Sequence, residues 1–377
     1  MSSNAQAHPI IPANEEQCMK ASAARQADSD MCIREIEREG MRELFATMPP
    51  CATAELSDAA RRLGQASAAR VICAEYFDAR PNPTDRDGYA GPLTWVLGDS
   101  AGANLGGAHV HAIAGADLAA VELDGTTVGT VIHGPHASEC LLAGIRADEI
   151  SASREDQARA TFEAIECALQ SVGMDFGNVA RTWLFIDDIL DWYDQFNVVR
   201  TTFFEEHGVF DRLVPASTGI GGANPWGAAM MVGAYAVAPR DPRVTVQALP
   251  SPLQCPALAY GSSFSRAVEV DMPDLRRIFV SGTAGIDPDG RTAHVGDVRA
   301  QTELTCEVIE AILQSREVGW EDVTRATAYV RHPEDVGVFE EHRRASGMPR
   351  VPVIVAHNTI CRDELLFELE VDAVRAQ

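Results

Sequence analysis

A shift of 144 residues lays the segment starting at Gln157 on the segment starting at Gln301, and this self-match constrains the fold more than any other feature of the chain. Ten positions are identical: Gln157, Thr161, Glu163, Ile165, Glu166, Leu169, Gln170, Ser171, Val179 and Arg181 meet Gln301, Thr305, Glu307, Ile309, Glu310, Leu313, Gln314, Ser315, Val323 and Arg325. Shared helical patterning alone rarely gives that. Both segments place apolar residues at helical spacing (Phe162, Ile165, Leu169; Leu304, Val308, Ile312), and each runs into a strand-like stretch, RTWLFI or RATAYV. A second helical stretch and a strand pair follow in both copies, ending in AAMMVGAYAV and LLFELEVDAV. The expected fold is α+β, with two tandem units whose helices pack on mixed β-sheets.

Upstream, EEQCMKASAARQ, MCIREIEREGMRELFATM and the capped AARRLGQA after Ser57-Asp58 predict an N-terminal helical arm over residues 1–68. From Ala69 the pattern changes to short strand-like runs, ARVICAEYF, LTWVLGD, AHVHAIAG, LAAVEL and TVGTVIHG, separated by Gly, Asp and Pro. The first unit is therefore assigned to residues 69–250 and the second to 251–377. The glycines at 98, 102, 106 and 107 fit no phosphate-binding motif and are expected to serve turns.

The net charge of −24, from 55 acidic and 31 basic residues, repels nucleic acid and acidic membrane surfaces. An anionic small molecule would need a local arginine pocket. Nine scattered cysteines without a C-x-x-C pair read as reduced thiols. The first residues, MSSNAQAHPIIPANEEQC, have neither a basic stretch nor an apolar run, so a cytoplasmic protein without a membrane span is expected. His109 and His111 share a strand face but lack further ligands at metal-site spacing, and no metal is expected.

In the last strand, alternation sends Glu368 and Glu370 to one face and Phe367, Leu369 and Val371 to the other. At i and i+2 the carboxylates lie about 7 Å apart, so ionising one opposes ionising the other, and a dry cleft would hold one protonated as a general acid. A solvated face is the ordinary fate of such a pair, and spacing alone leaves that alternative open. The other copy carries Met231 and Gly233 at the aligned positions, a contrast that favours chemistry in the second. Arg146, Arg181, Arg200, Arg266 and Arg331 stand near element ends and are candidates for carboxylate binding, and Tyr260 lies with Arg266 in the connector AYGSSFSRA.

The segment IFVSGTAGIDPDG, the strand ATAYVRHPED and the ending RDELLFELEVDAV resemble the RidA/YjgF superfamily, whose units have a chorismate-mutase-like fold. RTW at Arg181, PASTGIGG at Pro215, YG with FSRA from Tyr260, and HVGDV at His294 are similar to the chorismatases, which contain two such units. The resemblance implies cofactor-free removal of pyruvate from chorismate. Glu368 would be the proton donor, Glu370 its partner, and Arg200, Tyr260, Arg266 and Arg181 the substrate-binding residues. Gly282 and Cys361 resemble the 3-hydroxybenzoate-forming subgroup, whereas capture of the intermediate by water would give a dihydroxycyclohexadiene carboxylate. The imine deaminases of the superfamily use an arginine near the start of the penultimate strand, and here Arg350 is displaced from that position. Imine deamination and non-catalytic metabolite binding remain as alternatives. Single-unit relatives form trimers, so a trimer-like homo-oligomer is also implied.

Overall fold

The computed structural model describes residues 31–50, 53–77, 91–99 and 105–377 and contains three sheets where the repeat led us to expect two. The first comprises β1 (Cys32–Arg38), β2 (Met41–Met48), β3 (Arg70–Phe77), β4 (Leu93–Val96) and β5 (Gly107–Ala114), with α1 (Thr53–Ala66) between β2 and β3. The second holds β6 (Asp117–Leu123), β7 (Thr126–His133), β8 (Ala137–Ile145), β9 (Val179–Ile186), β10 (Ala216–Gly221) and β11 (Met230–Pro239), with α2 (Arg154–Gln170) and α3 (Ile189–Glu206) flanking β9. The third repeats it with β12 (Thr245–Leu249), β13 (Ala267–Asp271), β14 (Leu275–Ala284), β15 (Val323–Val330), β16 (Val353–His357) and β17 (Phe367–Ala376), with α4 (Val298–Gln314) and α5 (Val338–Ser346) flanking β15.

The strand orders, β1-β2-β5-β3-β4, β7-β8-β11-β9-β10 and β13-β14-β17-β15-β16, are the same pattern, with one more outer strand, β6 or β12, in the later two. Only the last pair of each is parallel: β3 with β4, β9 with β10, β15 with β16. In each, the pairing of the central strand with the strand before the parallel edge slips register by one residue, after Val71, Val179 and Val323. Registers therefore make Cys73, Arg181 and Arg325 equivalent, facing His111, Tyr235 and Asp372 across the central strand pair. The chain carries the unit three times.

This corrects the helical arm and its boundary at 68. MCIREIEREGMRELFATM forms the β1–β2 hairpin, with Arg38 opposite Met41 across the two-residue loop Glu39-Gly40. Gly40 adopts φ +77°, natural in such a turn, whereas glycine within a helix costs about 1 kcal/mol relative to alanine. Because β2 pairs with β5, the hairpin and α1 belong to the first sheet, and the first break between units falls between β5 and β6. The second break precedes β12, which pairs with β13. EEQCMKASAARQ lies outside the described residues.

The edge strand of each unit packs on the next unit in a closed ring: β4 on β8, β10 on β14, β16 on β2 and β5. The inner faces of the sheets bury one shared core, including Phe77, Ile113, Trp183, Tyr235, Phe279 and Tyr329, and the helices cover the outer faces. Glu43, Glu139 and Arg277 occupy equivalent axial positions, opposite Ile113, Val237 and Val374. Arg277 donates to Glu43 at 2.5 Å and Glu139 at 3.2 Å, and Arg38 donates to the same carboxylates at 2.5 and 2.6 Å. All four side chains are at most 4% exposed, so the units are joined by a buried ion network as well as by apolar contact.

Candidate active site

Where β10 of the second unit meets β14 and β17 of the third, a cleft of about 550 Å³ opens, counting the space continuous with solvent. Its walls carry Glu368, Cys361, Gly282, Arg200, Tyr260 and Arg266, so the fold gathers six of the eight candidate residues. Glu370 and Arg181 lie outside the lining, in a buried layer alongside. Arg181 therefore does not take the substrate-binding place expected of it. Its Nη2 donates to Glu370 at 2.8 Å and to Thr218 at 2.7 Å, and the same Thr218 hydroxyl accepts from Gly282 N at 3.0 Å.

The two carboxyls differ sharply in environment. Burial pushes Glu368 up to about 8, Glu370 adds to the rise, and Arg181 only partly offsets it. Burial also opposes charge on Glu370, but Arg325 and Arg181 outweigh it and hold that carboxyl below the usual range. Arg325 donates to Glu370 at 2.8 Å, and neither arginine hydrogen bonds to Glu368. The strand thus presents an acid next to an anion, the division of labour that separates a proton donor from its electrostatic partner.

Gly282 makes room for this acid. A Cβ there would lie 2.0 Å from Glu368 Oε1 and 3.1 Å from its carboxyl carbon. Gly282→Ala is expected to displace the carboxyl and lower kcat on the order of 10²-fold with the fold intact, measurable by steady-state kinetics beside circular dichroism.

Arg200, on α3, is 2% exposed, bonds Asn197 at 2.6 Å and leaves Nε without a partner; burial depresses its pKa. Arg266 bonds the Cys255 carbonyl at 2.9 Å, lies under the rings of Tyr260 and Phe264, and leaves Nη2 without a partner. Because both side chains line the cleft, these unpartnered N–H groups are donors available to an anion there. Among the lining residues not singled out from the sequence are an arginine and a tyrosine. Arg362 stacks on Tyr260 with its guanidinium 5.3 Å from the ring centroid, and Tyr193 faces both Arg200 and Cys361. The Y-D-Q spacing of α3, with Tyr193 seven residues before Arg200, is the signal that would have found the second. Burial pushes the Cys361 thiol up to about 12, reinforced by Glu368, so this cysteine is a neutral wall of the cleft. Arg146 stacks on Trp226, Arg331 bonds Asp363, and Arg350 is exposed; none lines the cleft.

Among the described residues, the two equivalent interfaces carry other groups at these positions. Register places Trp95 where the cleft has Gly219 and Met231 where it has Glu368, and Trp95 N donates to Met231 Sδ at 3.4 Å. At the third interface Gly107 takes the Glu368 position, and a Cβ there would meet the Met48 carbonyl at 2.3 Å.

The family model described as endoribonuclease L-PSP matches residues 256–374, the third unit. A RutC family protein of Pyrococcus abyssi is 30% identical over 116 residues, which cover 30% of this chain and 86% of that protein. The chain belongs to the RutC (RidA/YjgF) family. A protein named chorismatase from Streptomyces rapamycinicus is 31% identical over 223 residues, 52% of this chain. That alignment spans 64% of the chorismatase's own length, short of two thirds. A solved structure of a chorismatase shares the fold, with a TM-score of 0.63 at 21% identity, over 81% of this chain and 93% of the other. Tandem RidA-like units and homology to chorismatases, both expected from the motifs, are thereby established. Among the described residues no helix is long and apolar enough to cross a membrane.

Proposed function

We propose that the cleft converts chorismate by protonating its enolpyruvyl group and releasing pyruvate. The observation that carries this is a carboxylic acid still protonated near neutral pH, Glu368, in a cleft with two guanidinium groups holding unpaired N–H donors. Chorismate is a dicarboxylate bearing an enol ether. Arg200 and Arg266 supply one cation for each carboxylate, and Tyr260 stacks on Arg266 to fix its plane.

Glu368 gives its proton to the methylene carbon, the carbon bearing the ether oxygen becomes an oxocarbenium ion, and Glu368 is left as the carboxylate that stabilises it. Capture by water forms a hemiketal that collapses to pyruvate and a dihydroxycyclohexadiene carboxylate, returning a proton to Glu368. Capture by the neighbouring ring hydroxyl forms a cyclic ketal instead. Loss of a ring proton with cleavage of the ring carbon–oxygen bond then aromatises the ring, and the resulting hemiketal collapses to pyruvate and 3-hydroxybenzoate with no net water consumed. We favour 3-hydroxybenzoate because Gly282 puts no side chain beside Glu368 and Cys361 is a neutral wall, which leaves the ring hydroxyl room to approach the cation. No step calls for a metal or an organic cofactor.

The test is incubation of the protein with chorismate while pyruvate and the ring product are followed. Pyruvate with 3-hydroxybenzoate is expected, and kcat/KM should fall as pH rises through about 8, where Glu368 loses its proton. A dihydrodiol would overturn the product assignment and keep the acid. Binding without pyruvate would make this a metabolite-binding protein, and ammonia release from 2-iminoacids would make it a deaminase.

A further inference from the structure

The layer behind Glu368 reaches into the first unit. Arg325 donates to Glu370 at 2.8 Å, to Asp372 at 3.0 Å, and through Nη2 to Glu75 of β3. Arg181 completes the layer on Glu370, with its Nε 3.8 Å from Asp372 Oδ1. Glu75, Glu368, Glu370 and Asp372 thus share one buried region with only Arg181 and Arg325 to neutralise them.

The other polar groups around them supply no further cation. Tyr329 donates to Glu370 at 3.3 Å, and Tyr193 and Cys361 stand near Glu368 as uncharged groups. Burial raises the Cys73 thiol. His109, opposite Glu75 in register, lies between the hydroxyls of Thr47 and Thr327 and is kept neutral by burial and by Arg325. Four carboxyls against two guanidinium groups in so buried a region oppose one another's ionisation, so they hold protons more strongly than in water.

We propose that Glu75, carried by the N-terminal unit, is a positioning residue that keeps Glu368 in its acid form by drawing Arg325 away from Glu370. Burial raises Glu75 and Asp372, and Arg325 only partly offsets the rise. Once Glu75 ionises it shares Arg325 with Glu370 and Asp372, and Glu370 keeps more of the negative charge that opposes ionisation of Glu368. Without Glu75, Arg325 neutralises Glu370 and Asp372 more fully, and Glu368 ionises at lower pH. This is a role for a residue in a unit none of whose described residues lines the cleft. It rests on the reading of Glu368 as the proton donor.

Isotope-edited infrared titration of the free protein tests it, with the carboxylic-acid band of Glu368 assigned by its loss in Glu368→Gln. In Glu75→Gln the Glu368 midpoint should fall by about 1 pH unit, the size of effect a nearby charge exerts. Glu75→Met serves in its place if a buried amide impairs folding. Glu75→Asp, which keeps the charge, should return the midpoint toward that of the native protein, and the alkaline limb of pyruvate release should move in step. A midpoint unmoved in the neutral variants, or moved equally in Glu75→Asp, overturns the proposal. A shifted midpoint in a protein that releases no pyruvate upholds it and rejects the chorismate reading, while turnover with an unmoved midpoint does the reverse.

Discussion

Replacing Glu368 by Gln should lower kcat for pyruvate release by about 10³-fold while the Kd for chorismate changes little. Gln keeps the size and the polar tip of the side chain and cannot supply a proton. No neighbour can take over the task. Glu370 is held as an anion by Arg325 and Arg181, and Cys361 and Tyr193 are pushed upward by burial, too weak as acids to protonate a carbon. Single-turnover kinetics beside equilibrium binding would measure both quantities, and a loss below tenfold would remove Glu368 from the acid role. Stability supplies an independent check. A carboxyl whose pKa is raised from 4.5 to about 8 stabilises the fold fully at low pH, and that contribution is lost as pH rises from the lower value through the higher. The Gln side chain does not titrate. Denaturation midpoints of variant and native protein should therefore diverge in favour of the variant over that interval.

Alternation along LLFELEVDAV was enough to place Glu368 and Glu370 on one face, and the registers confirm that Met231 and Gly233 stand opposite the same strand positions in the second unit. The division of roles was not legible there. It depends on Arg181 and Arg325, which lie far away in sequence and reach Glu370 but not Glu368. Arg181 shows the limit from the other side: a guanidinium near a strand end suggests a substrate ligand, and only the packing of β9 against β17 shows that it serves a carboxylate of the protein itself.

The third copy of the unit was hidden because its chemistry has diverged at the very positions the fold keeps equivalent. Cys73 stands where the others have arginine, and His109 where the last unit has Glu370. Charged residues at every second or third place in CIREIEREGMREL imitate a helical surface. Arg38 and Glu43 are instead buried because partners from other units meet them, and nothing in the local pattern announces those partners.

Arg277→Met should destabilise the protein by about 3–5 kcal/mol, seen as a fall in the denaturant midpoint. Met approximates the volume and apolar stem of the side chain, so the loss reports charge more than packing. Without Arg277, Arg38 is the one guanidinium left to Glu43 and Glu139, whose other contacts are His111 on Glu43 and the Tyr235 hydroxyl on Glu139, and both carboxylates are fully buried. Adding Glu139→Gln should recover part of the loss, because the remaining Arg38–Glu43 pair is then balanced and its Asp274 bond at 2.9 Å is retained. A loss under about 1 kcal/mol would mean that the network is screened like a surface pair. In a ring of identical units an axial residue meets two copies of itself, so a charge there is always opposed by like charge. Three units on one chain remove that restriction. Glu43 and Glu139 can be met by Arg277 at the third equivalent position, just as one interface can hold Glu368 while the others hold Met231 and Gly107. The same freedom that joins the three units by opposite charges allows a single cleft to keep its acid.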